Sequence, residues 1–425
     1  MKTQRNLVGL ALTAVLALSG APAATAAKTD AWASGAPVAT WTHLALASVA
    51  NAGTGDAGAA RAYAMVDAAM YDAVNALLPP PRRHTAAIVA PQDGATGDPA
   101  VAAASAAHDV LVVLYPGEAA RFDAQLALDV DGARSASAAR RGAQWGKTVA
   151  TAVLAAREGD GSSGQEIQAP GSEPGEFDAP WDAQPQHLAP FVIANPDSYV
   201  HRGSPAALLP TREYAAAFEV VKMLGDAARP DPAADATFRF WGLGKGTEQP
   251  PGAWLRVATT VASERSLNLA DTARLAALTS MALADTVGVT YTTKALWHFW
   301  RPVAAIARAE FDGNPDTWPA DHTWAARGGK AGSPEHWSGH SSFSAAAAEV
   351  IAGFFGTDDI AFTLTTGSSN GEARQYTSFS QAAGEAGFSR VLGGLHFPFS
   401  NEAGLEAGRR IADEVLAHAL LPRGR

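Results

Sequence analysis

The sequence predicts an all-α protein, built as a helical bundle with one long Gly/Pro-rich surface excursion. Ala-rich runs whose apolar residues recur with the 3.6-residue period of a helix occupy most of the chain. Convincing period-two alternation of β-branched residues, which marks half-buried strands, is not found. The 425 residues are 47% hydrophobic and 17% charged, which supports a large buried core and argues against a disordered chain.

Eight segments carry the helical pattern. Each combines alanine, the best helix former, with apolar residues three or four positions apart, so that one face can be buried. The last two segments follow loops that contain polar motifs. In chain order, the predicted helices are Ala59–Leu77, Pro99–Leu114, Arg134–Glu158, Thr211–Ala228, Trp254–Asn268, Leu269–Ile306, Ser341–Phe355 and Glu402–Leu421.

The segment Gly159–Pro196 interrupts this pattern. It is rich in Gly, Pro, Ser and acidic residues, and no helical period continues through it. Because it is too long for an ordinary connection, we expect an ordered excursion over the surface or a lid. A domain boundary here is an alternative, although a bundle with a long insertion explains the composition equally well.

The first residues have the order of a secretory signal peptide. Lys2 and Arg5 precede the apolar run Leu7–Leu18, and Ala24 and Ala26 provide a small-x-small cleavage pattern. We therefore predict a signal peptide at residues 1–26 and a single all-α catalytic domain at residues 27–425. No later segment has 18 consecutive apolar residues, so we expect a protein secreted to the periplasm or medium without a membrane anchor.

Composition excludes several classes of function. The formal net charge is -10 and there is no basic tract, so binding to nucleic acid is not expected. The chain has no cysteine. This excludes a disulfide framework, thiolate metal sites, iron–sulfur clusters and a cysteine nucleophile.

The first polar motif places two cations near the end of a predicted helix. Lys294 and Arg301 are seven positions apart, so both are expected on one face of that helix, together with His298. Pro302 is expected to kink or reset the helix directly after Arg301. Two cations on an aromatic, apolar helix are costly to bury unless an anion meets them. Taken alone, a pair of surface charges explains them better.

The second motif is Ser338, Gly339 and His340, just before a helix predicted to begin near Ser341. Hydroxyl and backbone N–H groups at a helix N-terminus form a favourable anion site. An imidazole beside such a site is suited to proton transfer near neutral pH. The alternative is that Ser338 is only an N-cap and that His340 has no chemical role.

The third motif contains Ser389, Arg390 and His396. Gly393 and Gly394 allow the backbone to bend, so that the Arg390 and His396 side chains could converge on one point. The alternative is that Arg390 pairs with a carboxylate and His396 caps or packs.

Taken in this order, the three motifs resemble the vanadium-dependent haloperoxidases and the acid phosphatases that share their active site, within the type 2 phosphatidic acid phosphatase/haloperoxidase superfamily. Lys-x6-Arg-Pro, Ser-Gly-His and Ser-Arg-x5-His carry the resemblance. Further segments resemble the bacterial haloperoxidase-like branch: 61–75, 297–306, 312–315, 394–397, 402–404 and 408–409.

The resemblance implies an all-α fold around a four-helix-bundle core that binds vanadate or phosphate. Lys294, Arg301 and Arg390 would neutralise the oxyanion, the two arginines through planar forks. The Ser338 hydroxyl and the Gly339 N–H would add neutral hydrogen bonds. Vanadate is the expected cofactor.

The resemblance also implies roles for the two histidines. Neutral His396 would bond to the metal, or to phosphorus in a phosphatase, and His340 would be the acid–base partner. A haloperoxidase would use hydrogen peroxide to oxidise halide and halogenate a small organic acceptor, with vanadium as a Lewis acid. The alternatives are a secreted acid phosphatase that forms phospho-His396, and a non-catalytic oxyanion-binding protein.

Some positions depart from the family pattern. Trp337 stands where the loop usually has proline, and Ser400 stands where phosphatases usually have aspartate four residues after the histidine. Ser333 occupies a position that often carries a halide-pocket histidine or phenylalanine. An acidic partner for Arg390 is expected, but the sequence does not identify it.

The remaining polar candidates are expected to be structural. His298 and His336 flank the motifs, and Asp67, Asp72 and Asn75 are interpreted as polar groups in helix packing. Asp321 and His322 are adjacent but lack a zinc-binding spacing, so zinc is not expected.

Overall fold

The structure is a computed structural model that describes residues 30–92, 94–200 and 203–423. The predicted signal peptide lies outside the described residues. The described part contains thirteen α-helices: α1 Ala36–Ala52, α2 Asp56–Leu77, α3 Pro99–Leu114, α4 Ala119–Gly132, α5 Ala136–Ala156, α6 Arg212–Leu224, α7 Pro232–Phe240, α8 Gln249–Glu264, α9 Leu269–Trp297, α10 Pro302–Ala307, α11 Gly339–Phe355, α12 Phe379–Leu392 and α13 Pro398–His418. Four short strands form two hairpins: β1 Ile167–Gln168 with β2 Trp181–Asp182, and β3 Phe362–Thr365 with β4 Ala373–Tyr376.

The all-α prediction is confirmed, and α3 has the predicted bounds. Four helices were missed: α1, α4, α7 and α12. Helix α4 buries only Phe122, so it has no broad apolar stripe to detect. The β3–β4 hairpin was also missed, although Phe362 and Leu364 are buried and alternate with exposed threonines.

The predicted helix Leu269–Ile306 is wrong as one element. Helix α9 ends at Trp297 because His298 adopts a left-handed conformation with φ of 45°. Helix α10 begins at Pro302, which disfavours helical geometry in the residue before it, and Arg301 is extended. The four residues between the helices therefore form a non-helical connector, and Arg301 lies at its end.

Helix α9 is the shared centre of two groups of helices. On one side it packs against α2, which in turn packs against α3 and α5. On the other side it packs against α11, which lies between α12 and α13. A single hydrophobic core runs through both groups, and its largest fully buried side chains include Trp41, Trp254, Tyr63 and Phe343. The core fixes the relative positions of α9, α11 and α12, which carry the polar motifs.

Helices α11 and α13 approach closely because α13 carries glycines at the contact. A Cβ at Gly408 would lie 2.2 Å from the Ser342 carbonyl oxygen, and one at Gly404 would lie 2.7 Å from the Ser338 carbonyl oxygen. Side chains at these positions would push the helices apart. The glycines therefore set the position of the Ser338–Gly339–His340 segment.

The aspartates of α2 and α9 hold neighbouring loops in place. Asp72 accepts three consecutive backbone N–H bonds, from residues 87 to 89, at 2.7–2.8 Å. Asp285 does the same for residues 191 to 193 at 2.6–2.9 Å. Asp67 accepts a hydrogen bond from the Thr42 hydroxyl, and Asn75 pairs with the backbone of His84. These contacts confirm that Asp67, Asp72 and Asn75 are structural.

Residues 159–196 form an ordered excursion over α9. Besides the Asp285 contacts, its Phe177 N–H donates to the His298 carbonyl at 2.8 Å, and its Gly175 carbonyl accepts from the Trp300 N–H at 3.0 Å. On the other side of the connector, the Glu335 N–H donates to the Phe299 carbonyl at 2.8 Å. The connector is thus held between the excursion and the loop before α11. We name residues 175–177, 298–300 and 335 the three-segment ladder.

No helix within the described residues is both long and apolar enough to span a membrane.

Candidate oxyanion site

The three sequence motifs meet at one buried site, although Lys294 and Arg301 do not lie on the single helix that was predicted. Lys294 lies in the last turn of α9, whereas Arg301 lies at the N-terminus of α10. The two cations converge because the connector between them is non-helical, and they do not share a helix face. His298 points elsewhere: its ring nitrogens lie 2.9 Å from Gln168 Oε1 and 3.0 Å from the Phe177 carbonyl oxygen.

Lys294 and Arg301 are fixed mainly by carbonyl groups. Lys294 Nζ donates to the Pro334 carbonyl and, at 3.3 Å, to that of Glu335. Arg301 Nε donates to the Ser333 carbonyl at 2.8 Å, and Nη1 donates to the Leu395 carbonyl at 2.7 Å. Carbonyl oxygens position the cations but leave their charge largely uncompensated.

Arg301 also joins the first motif to the third. Its Nη1 lies 2.9 Å from His396 Nε2. A guanidinium only donates hydrogen bonds, so Nε2 must be the acceptor and the unprotonated ring nitrogen. His396 therefore directs a lone pair toward the cations.

The Ser338 motif forms the N-terminus of α11. Ser338 is its N-cap, and its hydroxyl accepts the Ser341 N–H at 3.3 Å, so the helix begins two residues before the predicted start. The next two N–H groups, of Gly339 and His340, belong to the first turn, which lacks intrahelical acceptors. His340 Nε2 lies 3.3 Å from the Gly242 carbonyl oxygen. That carbonyl can only accept, so Nε2 carries the proton and Nδ1 is the basic nitrogen.

Arg390 has two N–H positions without a hydrogen-bond partner. It lies in the last turn of α12, is 8% exposed, and has its guanidinium carbon 5.0 Å from the centre of the Phe238 ring. Its Nε and Nη1 are buried and unbonded. The expected acidic partner is not there: in the described part of the chain, no carboxylate forms an ion pair with Arg390.

The carboxylate of the site is Glu335, which the sequence analysis missed. It is completely buried, and its Oε1 lies 3.0 Å from His396 Nδ1. The same oxygen accepts the Phe397 N–H at 2.9 Å. The sequence does contain one indication of this role. Glu335 lies in an aromatic segment five residues before His340, and an acid buried in such a segment needs a partner.

Burial and repulsion between like charges together shift the pKa values of the site residues. Burial lowers the pKa of Lys294, Arg301 and Arg390, and the Arg301 charge lowers the pKa of the other two further. Burial also raises the pKa of Glu335. The pKa values of His340 and His396 lie well below their usual range because of burial and the neighbouring cations, so both imidazoles are neutral at neutral pH.

The positions that depart from the family pattern, and the flanking residue His336, lie around this site. Trp337 is buried in the core, where its Nε1 donates to the Thr290 hydroxyl at 3.0 Å. Ser333 contacts Arg301 through its carbonyl and, at 3.3 Å, through its hydroxyl. His336 is buried against the Phe399 ring, with the ring centres 6.3 Å apart. Ser400 is completely buried beside the Glu335 carboxylate.

Asp321 uses its carboxylate to accept bonds from the N–H and hydroxyl of Thr323. Within the described residues, no group of three or more His, Asp or Glu side chains is arranged to hold a metal ion by itself.

Comparison with known proteins identifies relatives of this arrangement. Residues 274–422 match the family model of the VCPO second helical-bundle domain. No curated protein matches the sequence. Among solved structures, a bacterial vanadium-dependent iodoperoxidase is similar at 20% identity and a TM-score of 0.75, over 92% of this chain and 98% of that one.

Two structures of bacterial vanadium-dependent chloroperoxidase, one holo-type and one apo-type, are also similar. They have 14% and 13% identity and a TM-score of 0.63, over 84% of this chain and 90% and 92% of theirs. The chain therefore has the helical fold of the bacterial vanadium haloperoxidases, and the match to the VCPO second helical-bundle domain falls on the part that contains Lys294, His340 and His396.

Proposed function

We propose that this chain is a vanadate-dependent haloperoxidase that uses hydrogen peroxide to oxidise halide and halogenate small organic acceptors. Arg390 carries the proposal. Its Nε and Nη1 are buried and unbonded, and the neighbouring Arg301 adds a second positive charge. A buried, unpaired guanidinium is costly, and an oxyanion with several acceptor oxygens satisfies it. The similarity to vanadium-dependent iodoperoxidase and chloroperoxidase favours vanadate as that oxyanion.

The residues present fit vanadate. Lys294, Arg301 and Arg390 would hold its oxygens, with the Ser338 hydroxyl and the Gly339 N–H as neutral donors. His396 would bond to vanadium through Nε2, the unprotonated nitrogen that faces Arg301. When bound, vanadate supplies a Lewis acid that activates peroxide without changing its own oxidation state.

His340 is the proposed acid–base residue. With Nε2–H held by the Gly242 carbonyl, Nδ1 is the basic nitrogen that would take a proton from hydrogen peroxide. Burial and the nearby Arg390 and Arg301 charges lower its pKa, which keeps the ring neutral before the reaction. A bound oxyanion adds negative charge and raises the pKa of His340 again, which favours proton uptake at that moment.

Histidine variants test these roles. For His396→Ala we expect loss of stable orthovanadate binding and of activity. For His340→Ala we expect turnover to fall by about 10²- to 10⁴-fold with some vanadate binding retained, as for a lost acid–base group. His418→Ala, at an exposed histidine of α13, is the matched control and should change neither property. Normal turnover by either site variant would exclude its proposed role.

The deciding experiment is bromination of phenol red with hydrogen peroxide and bromide, comparing metal-free protein with protein given orthovanadate. We expect bromination only with vanadate. Hydrolysis of p-nitrophenyl phosphate by the metal-free protein, inhibited by vanadate and without bromination, would instead support the acid phosphatase. Export through residues 1–26 is also proposed, and the absence of N-terminal processing in an exporting host would contradict it.

A further inference from the structure

We infer that Glu335 is a positioning residue: its carboxylate holds His396 in the tautomer and orientation that present Nε2 to the oxyanion. This inference rests on the proposed function. Glu335 reaches the site from the loop before α11, whereas His396 follows α12, so the contact joins two elements.

The hydrogen-bond directions leave one neutral tautomer of His396. Arg301 Nη1 can only donate, so His396 Nε2 is the acceptor. The neutral ring then carries its proton on Nδ1, which lies 3.0 Å from Glu335 Oε1. The carboxylate and the guanidinium thus fix the same tautomer from opposite sides of the ring. Since Arg301 would also donate hydrogen bonds to the bound oxyanion, Glu335 is the partner that continues to hold the His396 ring.

Glu335 is itself held rigidly. Its N–H donates to the Phe299 carbonyl at 2.8 Å, and its own carbonyl accepts from Lys294 Nζ at 3.3 Å. Its Oε1 also accepts the Phe397 N–H at 2.9 Å, one residue beyond His396. The carboxylate therefore fixes both the ring and the backbone beside it. A carboxylate on one imidazole nitrogen also strengthens the other as a ligand.

Ser400 offers a way to restore the carboxylate from another position. It is completely buried beside the Glu335 carboxylate. In a Glu335→Ala variant, an aspartate at position 400 would place a carboxylate in the vacated space. Rescue by this second substitution separates the positioning of His396 from general loss of packing.

The test measures binding of orthovanadate, and separately of inorganic phosphate, to the full chain by calorimetry. For Glu335→Gln and Glu335→Ala we expect affinity to fall by roughly 10- to 100-fold, as for other groups that orient a metal ligand. Glu335→Ala with Ser400→Asp should regain most of it. Glu414→Gln removes the exposed glutamate paired with His418 on α13, and should leave binding unchanged.

A spectroscopic measurement covers the case in which the variants do not fold. Nitrogen-15 NMR of wild-type protein labelled at histidine should show His396 protonated at Nδ1, with the signal assigned by its loss in His396→Gln. Protonation at Nε2 would overturn the inference, as would wild-type affinity in Glu335→Ala. If the wild-type protein binds neither orthovanadate nor phosphate, the proposed function fails instead, whatever the tautomer.

Discussion

At the scale of single residues, the site concentrates like charge inside the protein. Lys294, Arg301 and Arg390 are each at most 8% exposed, and Glu335 is the carboxylate among them. Removing a cation from water costs free energy that carbonyl groups and one carboxylate recover only in part. The free protein is therefore expected to be less stable than it would be with an apolar site, and a bound oxyanion would recover the difference.

Arg390→Met tests this opposition between stability and binding. Methionine fills similar space without the two unbonded N–H positions, so we expect the free protein to become more stable by about 1–3 kcal/mol. Orthovanadate affinity should fall by roughly 10- to 100-fold, because charge-assisted hydrogen bonds are lost. Thermal unfolding and calorimetry measure the two effects.

Arg374→Met is the matched control, because Arg374 bonds Glu372 and Glu385 outside the site. It should lower stability and leave vanadate binding unchanged. An Arg390→Met protein that is less stable than wild type would contradict the expected cost of the unpaired guanidinium.

The motif residues of the site were predictable from sequence because short spacings define them. Glu335 was harder to identify, because its partner His396 lies 61 positions away and the aromatic segment around Glu335 indicates burial but not which residue it contacts. Within the described residues, no carboxylate pairs with Arg390. Glu335, the carboxylate nearest in role to the expected acid, contacts His396 instead.

At the scale of elements, helix boundaries decide where the charges lie. Alanine-rich periodicity predicted most helices, since burial of one face produces it. It could not locate the end of α9, because the sequence after Trp297 remains apolar while His298 turns left-handed. Helix α12 was missed for another reason: its buried face consists mostly of small or polar residues, and the large apolar Phe388 is exposed, so the hydrophobic pattern is weak.

The contact between α11 and α13 yields a prediction. For Gly408→Ala we expect a loss of about 1–3 kcal/mol of stability, because the added methyl group meets the Ser342 carbonyl and overpacks the contact. Orthovanadate affinity should also fall, since α11 carries Ser338 at its N-terminus. Chemical denaturation and calorimetry measure these changes.

Gly384→Ala provides the comparison within α12. A Cβ there meets no atom within 4 Å, so the substitution should stabilise the protein by about 0.5–1 kcal/mol through helix propensity alone. Equal effects of the two substitutions would show that close approach at Gly408 is unimportant.

At the scale of the whole molecule, buried carboxylates link stability to pH. Asp67 lies in the core shared by α1, α2 and α9, and burial raises its pKa to about 7. Between about pH 4 and pH 7 the folded protein therefore keeps a proton that the unfolded chain has lost. Stability from this group is greatest below pH 4 and decreases as the pH rises through 7.

Asp67→Asn should remove this dependence. The amide has similar shape and cannot ionise, so we expect a gain in stability at pH 8 of up to about 4 kcal/mol, and a smaller gain near pH 5. Thermal unfolding across this pH range measures it. Asp72→Asn should instead lower the stability of the protein, because Asp72 accepts three N–H bonds that an amide cannot satisfy fully. An unchanged pH profile in Asp67→Asn would mean that Asp67 does not titrate there.

The three-segment ladder also has a consequence for the order of folding. The helices depend on contacts between residues that are near in sequence, and such contacts form quickly. The ladder joins Gly175, Phe299 and Glu335, so its hydrogen bonds close loops of more than thirty residues, each with an entropic cost. We therefore expect the individual helices to form before the connector that positions Arg301 is fixed. During refolding, oxyanion binding should appear in a later kinetic phase than helical circular dichroism.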